Sequence, residues 1–512
     1  MEKVFTMNNY FKIYATSDVH GYVEPYLYSD QLIADLGMAR ISTILNNLKD
    51  ENTICIDNGD AIQGSPLVFY HNLKHLDEIH PMSKVLKAMP YDYMNLGNHD
   101  FNLGMDVLLR HMEYVNIPCI TVNVIYKGNP LGHYVIHEFS NGTRIALFGL
   151  VTQHIPNWEK PENIVGVEYI DAYEACKNTV EYIRNNEKVD VVVCAYHGGF
   201  ERDLHTGVPT EVLNGENKGY EICKDIKGLD ILITGHQHRS IADVCCGKIT
   251  TQTASNAKEV AEITYNTDAH SGTSRLIKAD AKPDERVLDL VSDLEAECQN
   301  WLDQPLGTCT QDLKIHNPFE ARLHKHPLIS FLNDVQLSTV KGDLSAVALF
   351  NDAKGFNHEI TMRDIVSTYV FANTLTVIRM NRSTLKKFLE KCAEYFEVID
   401  DEIQVSPRFM APKPQHYNYD MVDGIEYTIK VSNPVGERII SLTKDGKEIG
   451  DNEEFDLIVS NYRAGGGGDF EMVHEGKTVH VDQKDMVEAI AEYILKDPEI
   501  KINHRENITV IK

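Results

Sequence analysis

The sequence predicts an α/β layered protein of more than one domain, and three observations say so. Apolar runs of strand length alternate with segments of helical period through the first half of the chain. Five of those runs end in residues of metal-ligand type. The chain's 512 residues also exceed what a single hydrophobic core organises.

Residues 11–15 read as the first strand. Leu32, Ile33, Leu36, Ile41, Leu45 and Leu48 keep roughly helical spacing and predict a helix over 32–48. A strand at 53–57 follows, then a helix carrying Met82, Val85, Leu86 and Met89. A strand at 93–96 precedes a helix over 105–115. After the apolar run 144–150 come a helix near 172–183, a strand at 189–196 and a short strand at 231–234.

Around residues 268–274 the composition turns polar, and Pro283 follows. Val287, Val291, Leu294, Cys298 and Trp301 then recur at steps of four and three, which predicts one amphipathic helix bridging two domains. The reading is a first domain over 1–282, a linker helix over 283–305 and a second α/β domain over 306–512. The second domain should hold a helix at 385–396, strands near 427–431 and 456–460, and a late helix at 486–495.

The five strand ends read Ser17-Asp18-Val19-His20, Asn58-Gly59-Asp60, Gly97-Asn98-His99-Asp100, Tyr196-His197-Gly198 and Gly235-His236-Gln237-His238. Loops converge at the carboxyl ends of strands in α/β sheets, so residues far apart in sequence can share one cleft. Carboxylate, imidazole and amide oxygen together suit manganese, iron, cobalt or zinc. In this reading Asp60 bridges two metals. Asp18, His20 and His238 complete one, and Asn98, His197 and His236 complete the other. Two such ions activate a water and clamp a phosphoryl group. His99, beside a ligand, would stabilise the transition state or protonate the leaving oxygen. Each motif alone reads as surface decoration or a satisfied turn histidine; the order of all five carries the reading. The remaining histidines, such as His71, His80 and His111, read as surface or core.

Composition narrows the partners. A net charge of −27 disfavours nucleic-acid polymers and anionic membranes. No apolar run is long enough to span a bilayer, and the first residues lack a signal-peptide pattern. The ten cysteines include no C-x-x-C and several sit in apolar runs, which suits a reducing cytoplasm.

These motifs resemble the calcineurin-like metallophosphoesterase pattern. Gly59-Asp-Ala-Ile-Gln-Gly-Ser-Pro66 resembles more narrowly the bacterial 5′-nucleotidase and 2′,3′-cyclic-nucleotide 2′-phosphodiesterase family. Phe371-Ala-Asn373-Thr-Leu, Met421-Val-Asp-Gly-Ile-Glu-Tyr427 and Ser460-Asn-Tyr462-Arg-Ala-Gly-Gly-Gly-Gly468-Asp469 are similar to its C-terminal domain. The resemblance implies a four-layer α/β/β/α phosphoesterase sandwich joined by a helix to a C-terminal nucleotide-binding domain, with the two sites meeting in one cleft. It implies that Phe371 and Tyr462 sandwich the base, and that Asn373 and Asp469 lie near the nucleoside. Stacking of this kind tolerates any base.

Two departures matter. The 5′-nucleotidase branch pairs its catalytic histidine with an aspartate three residues on, where this chain has Asn102. Asparagine there resembles the cyclic-phosphodiesterase/3′-nucleotidase branch. The 351–356 segment also lacks the phosphate-binding arginine of 5′-nucleotidases, leaving Lys354 as a weak substitute. The expected activity is dimetal hydrolysis of 2′,3′-cyclic nucleotides and 3′-nucleotides, with 5′-nucleotides or nucleotide sugars as the alternative. A non-catalytic nucleotide sensor is the alternative from another class.

Overall fold

The structure, a computed structural model, describes residues 10–211, 213–371, 373–411, 413–451, 453–482 and 484–512. The chain divides into two compact units, 1–298 and 299–512.

In the first unit, Tyr10–Thr16 lies at the centre of a five-stranded sheet. It pairs antiparallel with Glu259–Asn266 and parallel with Thr53–Asp57, which in turn pairs parallel with Tyr93–Met94. A second sheet of six strands carries Arg144–Val151, Val191–His197 and Ile231–Thr234 as parallel neighbours. Strand periodicity of two explains how the sheets pack. Ile145 and Leu147 join Ile13, Ile54 and Ile56 in one buried core between the sheets. Ala146, Phe148 and Leu150 face the other way, against the helices Ala172–Asn186 and Gly219–Asp225.

The five motif-bearing strands all point their carboxyl ends toward one edge. Asp18 follows Thr16, Asp60 follows Asp57, Asn98 follows Met94, His197 ends its strand, and His236 follows Thr234. The parallel pairing of these strands within each sheet thus gathers the loops.

Three expectations need correction. The first helix begins at Met38, not at residue 32. Gly37 takes φ 97°, where a Cβ would meet the Glu24 carbonyl oxygen at 2.4 Å; Leu32 and Ile33 stand exposed in a loop before it. The bridging segment is two helices, Glu285–Asp289 and Ser292–Leu302, and the division between units falls inside the second. Its apolar face survives the break, because Val287, Val291, Cys298 and Trp301 are all buried. In the second unit the helix spans Arg382–Ala393, started by Asn381 capping Thr384, and Phe396 already belongs to a strand.

The second unit is built on a five-stranded sheet in which Leu375–Asn381 pairs antiparallel with Glu454–Ser460. The helices Pro327–Thr339 and Met486–Lys496 accompany it. Leu375 faces Ser460 in this register, so residues just before one strand and just after the other are neighbours. Among the described residues, no helix is long and apolar enough to cross a membrane.

Candidate metal centre

Most of the expected ligands sit in a strained backbone. Asp18, His20, Asp60, His236 and His238 all have φ between 48° and 68°. Non-glycine residues adopt this left-handed region rarely, and when they do it marks turns that aim side chains. Two glycines make the crowding possible. A Cβ on Gly97 would lie 2.1 Å from Asp60 Oδ1, and one on Gly59 would lie 2.1 Å from the Gly97 nitrogen.

The turns bring the side chains together. Asp18, His20 and His238 form one group of ligand atoms, and Asp18, Asp60 and His197 form another. His20 Nε2 lies 3.0 Å from His238 Nε2. Asp60 Oδ2 lies 3.1 Å from His197 Nε2 and 4.0 Å from His20 Nε2, so its carboxylate stands between two imidazoles. Asp18 is shared by both groups, which gives the site a second carboxylate able to serve two positions. Asn98 Oδ1 faces His236 Nδ1 across 2.8 Å.

Do these residues fit metal ions? Asp60 Oδ2 and His197 Nε2 are buried without a hydrogen-bonding partner among the described residues, despite their closeness. Buried polar atoms are normally satisfied, so this pair calls for a cation. Three of the four histidines also have their other nitrogen tied. His20 Nδ1 lies 3.1 Å from the Gln63 carbonyl, His197 Nδ1 lies 2.6 Å from the Asn58 carbonyl, and His236 Nε2 lies 2.8 Å from Glu216 Oε1. A ring nitrogen that donates to such an acceptor leaves the opposite nitrogen's lone pair for a metal.

The electrostatics agree. Burial, reinforced by His238, pushes His20 down to about 4, so it stays neutral and able to ligate. Burial opposes charge on His197, but the Asp60 and Asp18 carboxylates outweigh it and lift His197 to about 10. Burial likewise works against ionising Asp18 and Asp60, yet the neighbouring imidazoles hold both below the usual carboxylate range. His197 would hold a metal here as a neutral imidazole, with the cation in place of its Nε2 proton.

A further carboxylate shapes the loops. Asp100 is buried and accepts hydrogen bonds from the amides of Gly97, Asp60 and Ala61 at 2.8–3.0 Å. It ties the second and third motif loops together. His99 precedes it, and the His99 backbone N–H donates to Asp60 Oδ1 at 2.7 Å. The His99 ring lies edge-on to His20, with centroids 5.4 Å apart.

Sequence reasoning missed three residues here. Glu216 orients His236, Trp158 stacks on the His236 ring at 5.5 Å, and Glu159 hydrogen-bonds Asn102. None lies in a motif or on a periodic element, so no local signal marked them.

In the second unit an unpredicted ring lies between two predicted ones. Phe371 is half-exposed, and Tyr417 touches both Phe371 and Tyr462 edge-on, at 6.3 and 6.2 Å. Gly467 lets the Tyr462 ring press on the backbone, since a Cβ there would lie 2.5 Å from the ring. Asn373 closes the turn to Phe371, its N–H donating to that carbonyl at 2.8 Å. Asp469 lies 3.5 Å from both Lys391 Nζ and Arg408 Nη2. Lys354 is exposed.

Comparison with known proteins places these features in context. The calcineurin-like phosphoesterase model matches residues 11–240, and the 5′-nucleotidase C-terminal domain model matches residues 305–475. Calcineurin-like phosphoesterases use a dimetal centre. The chain is 26% identical over 565 residues to YfkN of Bacillus subtilis, a trifunctional nucleotide phosphoesterase; the match covers 95% of this chain but 38% of YfkN's length. It is also 26% identical over 544 residues to the 2′,3′-cyclic-nucleotide 2′-phosphodiesterase/3′-nucleotidase of Salmonella typhimurium, covering 89% of this chain and 81% of that one. A crystal structure of a Staphylococcus aureus protein, described provisionally as a 5′-nucleotidase and solved with α-ketoglutarate, superposes with a TM-score of 0.91. It shares 32% identity and covers 98% of this chain and 100% of that one.

Proposed function

This chain belongs to the 5′-nucleotidase family, with a calcineurin-like phosphoesterase domain ahead of a 5′-nucleotidase C-terminal domain, and we propose that it hydrolyses nucleotide phosphoesters at a dimetal site. The preferred substrates are 2′,3′-cyclic nucleotides and 3′-nucleotides. The observation that carries the reaction class is the group of buried Asp18, His20, Asp60 and His197 with half-buried His238, and its unsatisfied Asp60 and His197 atoms.

When bound, two divalent ions (manganese, iron, cobalt or zinc) supply an activated water and neutralise the phosphoryl oxygens. The chain does the rest. Asp18, His20, Asp60, Asn98, His197, His236 and His238 are the proposed ligands. His99 stands beside them and offers Nε2 as the proton source for the leaving oxygen. The strained, glycine-supported loops hold these groups in place before substrate arrives, which is where much of the rate gain in phosphoryl transfer originates. In the second unit, Phe371 and Tyr462 offer ring faces to a base, while Asn373 and Asp469 offer polar contacts to a nucleoside.

The substrate ranking rests on Asn102, whose Oδ1 lies 2.7 Å from His99 Nδ1 where a carboxylate would mark the 5′-nucleotidase branch. The Salmonella relative's activity supports the same order. The Staphylococcus structure supports 5′-nucleotides as the second reading. A panel of adenosine monophosphate isomers, cyclic forms and uridine diphosphate sugars decides between them, with released phosphate and nucleoside measured. Preference for the 5′-monophosphate over both other classes would overturn the ranking. We also propose a cytoplasmic location, a reading supported by cysteines that are mostly buried.

A further inference from the structure

Asn102 does not replace the missing carboxylate alone. Its Oδ1 lies 2.7 Å from His99 Nδ1, and its Nδ2 donates to Glu159 Oε2. Glu159 sits 57 residues further along the chain, in the loop between the turns Ile155–Asn157 and Pro161–Ile164. Its other oxygen, Oε1, accepts from the Lys160 N–H at 2.8 Å and from Asn163 Nδ2 at 2.7 Å. Asn163 Nδ2 also donates to the Asn102 carbonyl at 2.7 Å. The Asn102 side chain is therefore held at both ends, and the carboxylate that holds it is fixed by two donors of its own.

The chemistry of these groups leaves one arrangement. An ionised carboxylate only accepts hydrogen bonds, so the Asn102 atom facing Glu159 must be the NH₂. The amide oxygen then faces His99 and also only accepts. His99 must carry a proton on Nδ1, which leaves Nε2 as the nitrogen that gives and takes a proton. A free asparagine imposes no such choice, because its amide can turn and present either oxygen or NH₂ to the ring. Turned, it would donate to Nδ1 and send the proton to Nε2, the opposite tautomer.

We propose that Glu159 is a positioning residue that, by locking the orientation of Asn102, sets the tautomer of His99. The proposal rests on the phosphoesterase reading for its catalytic consequence, and on the hydrogen-bond chain alone for its structural content. The relay His99–Asn102–Glu159 supplies through a neutral amide what a directly bonded carboxylate would supply in one step: a fixed ring with a fixed Nδ1 proton. Trp158, the preceding residue, stacks on His236. One two-residue stretch of loop thus braces both a metal-side imidazole and the catalytic imidazole.

The test combines turnover with a spectroscopic readout. Glu159→Ala should lower kcat at least tenfold while KM for the best substrate of the panel moves less than threefold. Asn102→Asp should also lower kcat at least tenfold, because two carboxylates then face each other. Adding Glu159→Gln to Asn102→Asp should restore kcat to within threefold of wild type. The glutamine NH₂ then donates to the carboxylate introduced at position 102, which still accepts from His99. In parallel, long-range proton–nitrogen spectra of histidine-labelled protein, metal-free and zinc-loaded at alkaline pH, report the tautomer directly. The His99 signals are identified by their loss in His99→Gln. Wild type should show a single tautomer protonated at Nδ1, and Glu159→Ala should shift both ring nitrogens toward a mixture. Unchanged nitrogen shifts in Glu159→Ala would overturn the proposal. So would a Glu159→Ala effect confined to KM, or an Asn102→Asp defect that Glu159→Gln leaves unrepaired. If wild type hydrolyses no nucleotide, the phosphoesterase reading falls, and the spectra still decide whether Glu159 sets the tautomer.

Discussion

Glu216 Oε1 lies 2.8 Å from His236 Nε2, on the side of the ring opposite Asn98. The carboxylate holds a proton on Nε2 and so turns Nδ1 toward the site. His20 and His197 do the reverse, presenting Nε2 because backbone carbonyls hold Nδ1. Carboxylate partners of ligating histidines fix the tautomer and raise ligand basicity, and losing one costs roughly 10–100-fold in metal affinity. Glu216→Ala should weaken binding of one of the two ions by about that factor. Titration calorimetry with the metal-free protein would show it as one weakened site and one unchanged; two unchanged sites would defeat this role.

His99 and Asp60 should separate catalysis from metal binding. His99→Ala should cut turnover at least about a hundredfold, within the usual range for a general acid, with two metals per chain retained. Asp60→Ala should lose at least one metal by elemental analysis, because it removes the carboxylate between His20 and His197. Full turnover in His99→Ala would remove that residue from the mechanism.

Acid should destabilise the first unit through a buried cluster of three histidines outside the proposed ligand set. His71, His80 and His111 are buried, with the His80 ring 5.0 Å from His71 and 6.5 Å from His111. Burial pushes all three below the ordinary histidine value, His111 to about 4. Glu78, His75 and Lys84 are the other titratable neighbours acting on His71. Between the unfolded value near 6.5 and the folded value near 4, the unfolded chain binds more protons. Stability is therefore complete above about pH 6.5 and falls as the pH drops toward 4, by on the order of 3 kcal/mol for His111 alone. The melting temperature of His111→Gln, which keeps a polar group near Ser83 Oγ, should fall less between about pH 7 and pH 5 than that of wild type. Parallel curves would assign the acid sensitivity elsewhere.

Tyr462 gives the second unit its test. Removing a stacking ring costs about 1–3 kcal/mol per base, so Tyr462→Ala should raise KM for nucleotides roughly 5- to 150-fold. Steady-state kinetics with two nucleotides of different base should show similar increases. A change in kcat with KM untouched would argue against a base contact.

The five strand ends were readable because each joins an apolar run, a glycine and a ligand type within a few residues. Such patterns are local, and the parallel pairing of the motif-bearing strands only had to bring their ends together. What supports them was not readable. Glu159 reaches Asn102 from 57 residues away, and Glu216 and Trp158 sit on irregular loops without periodicity. Tyr417 lies in a short turn before the strand Asp420–Asp423, and the order of four strands in the sheet brings it against Phe371 and Tyr462. The false start of the first helix has the same origin. Leu32 and Ile33 continue an apolar rhythm, but spacing alone does not register the turn at Gly37.

The left-handed backbone at Asp18, His20, Asp60, His236 and His238 also governs how this site can decay. A lineage released from catalysis can change these side chains, but it cannot freely change their φ, because the loops they turn still close the sheet edge. Glycine, asparagine and aspartate tolerate that region, while β-branched residues do not. Descendants that have fallen silent should therefore carry glycine or asparagine at these positions far more often than valine or isoleucine. The shape of the metal cradle would outlast the metals and leave a fossil in the sequence.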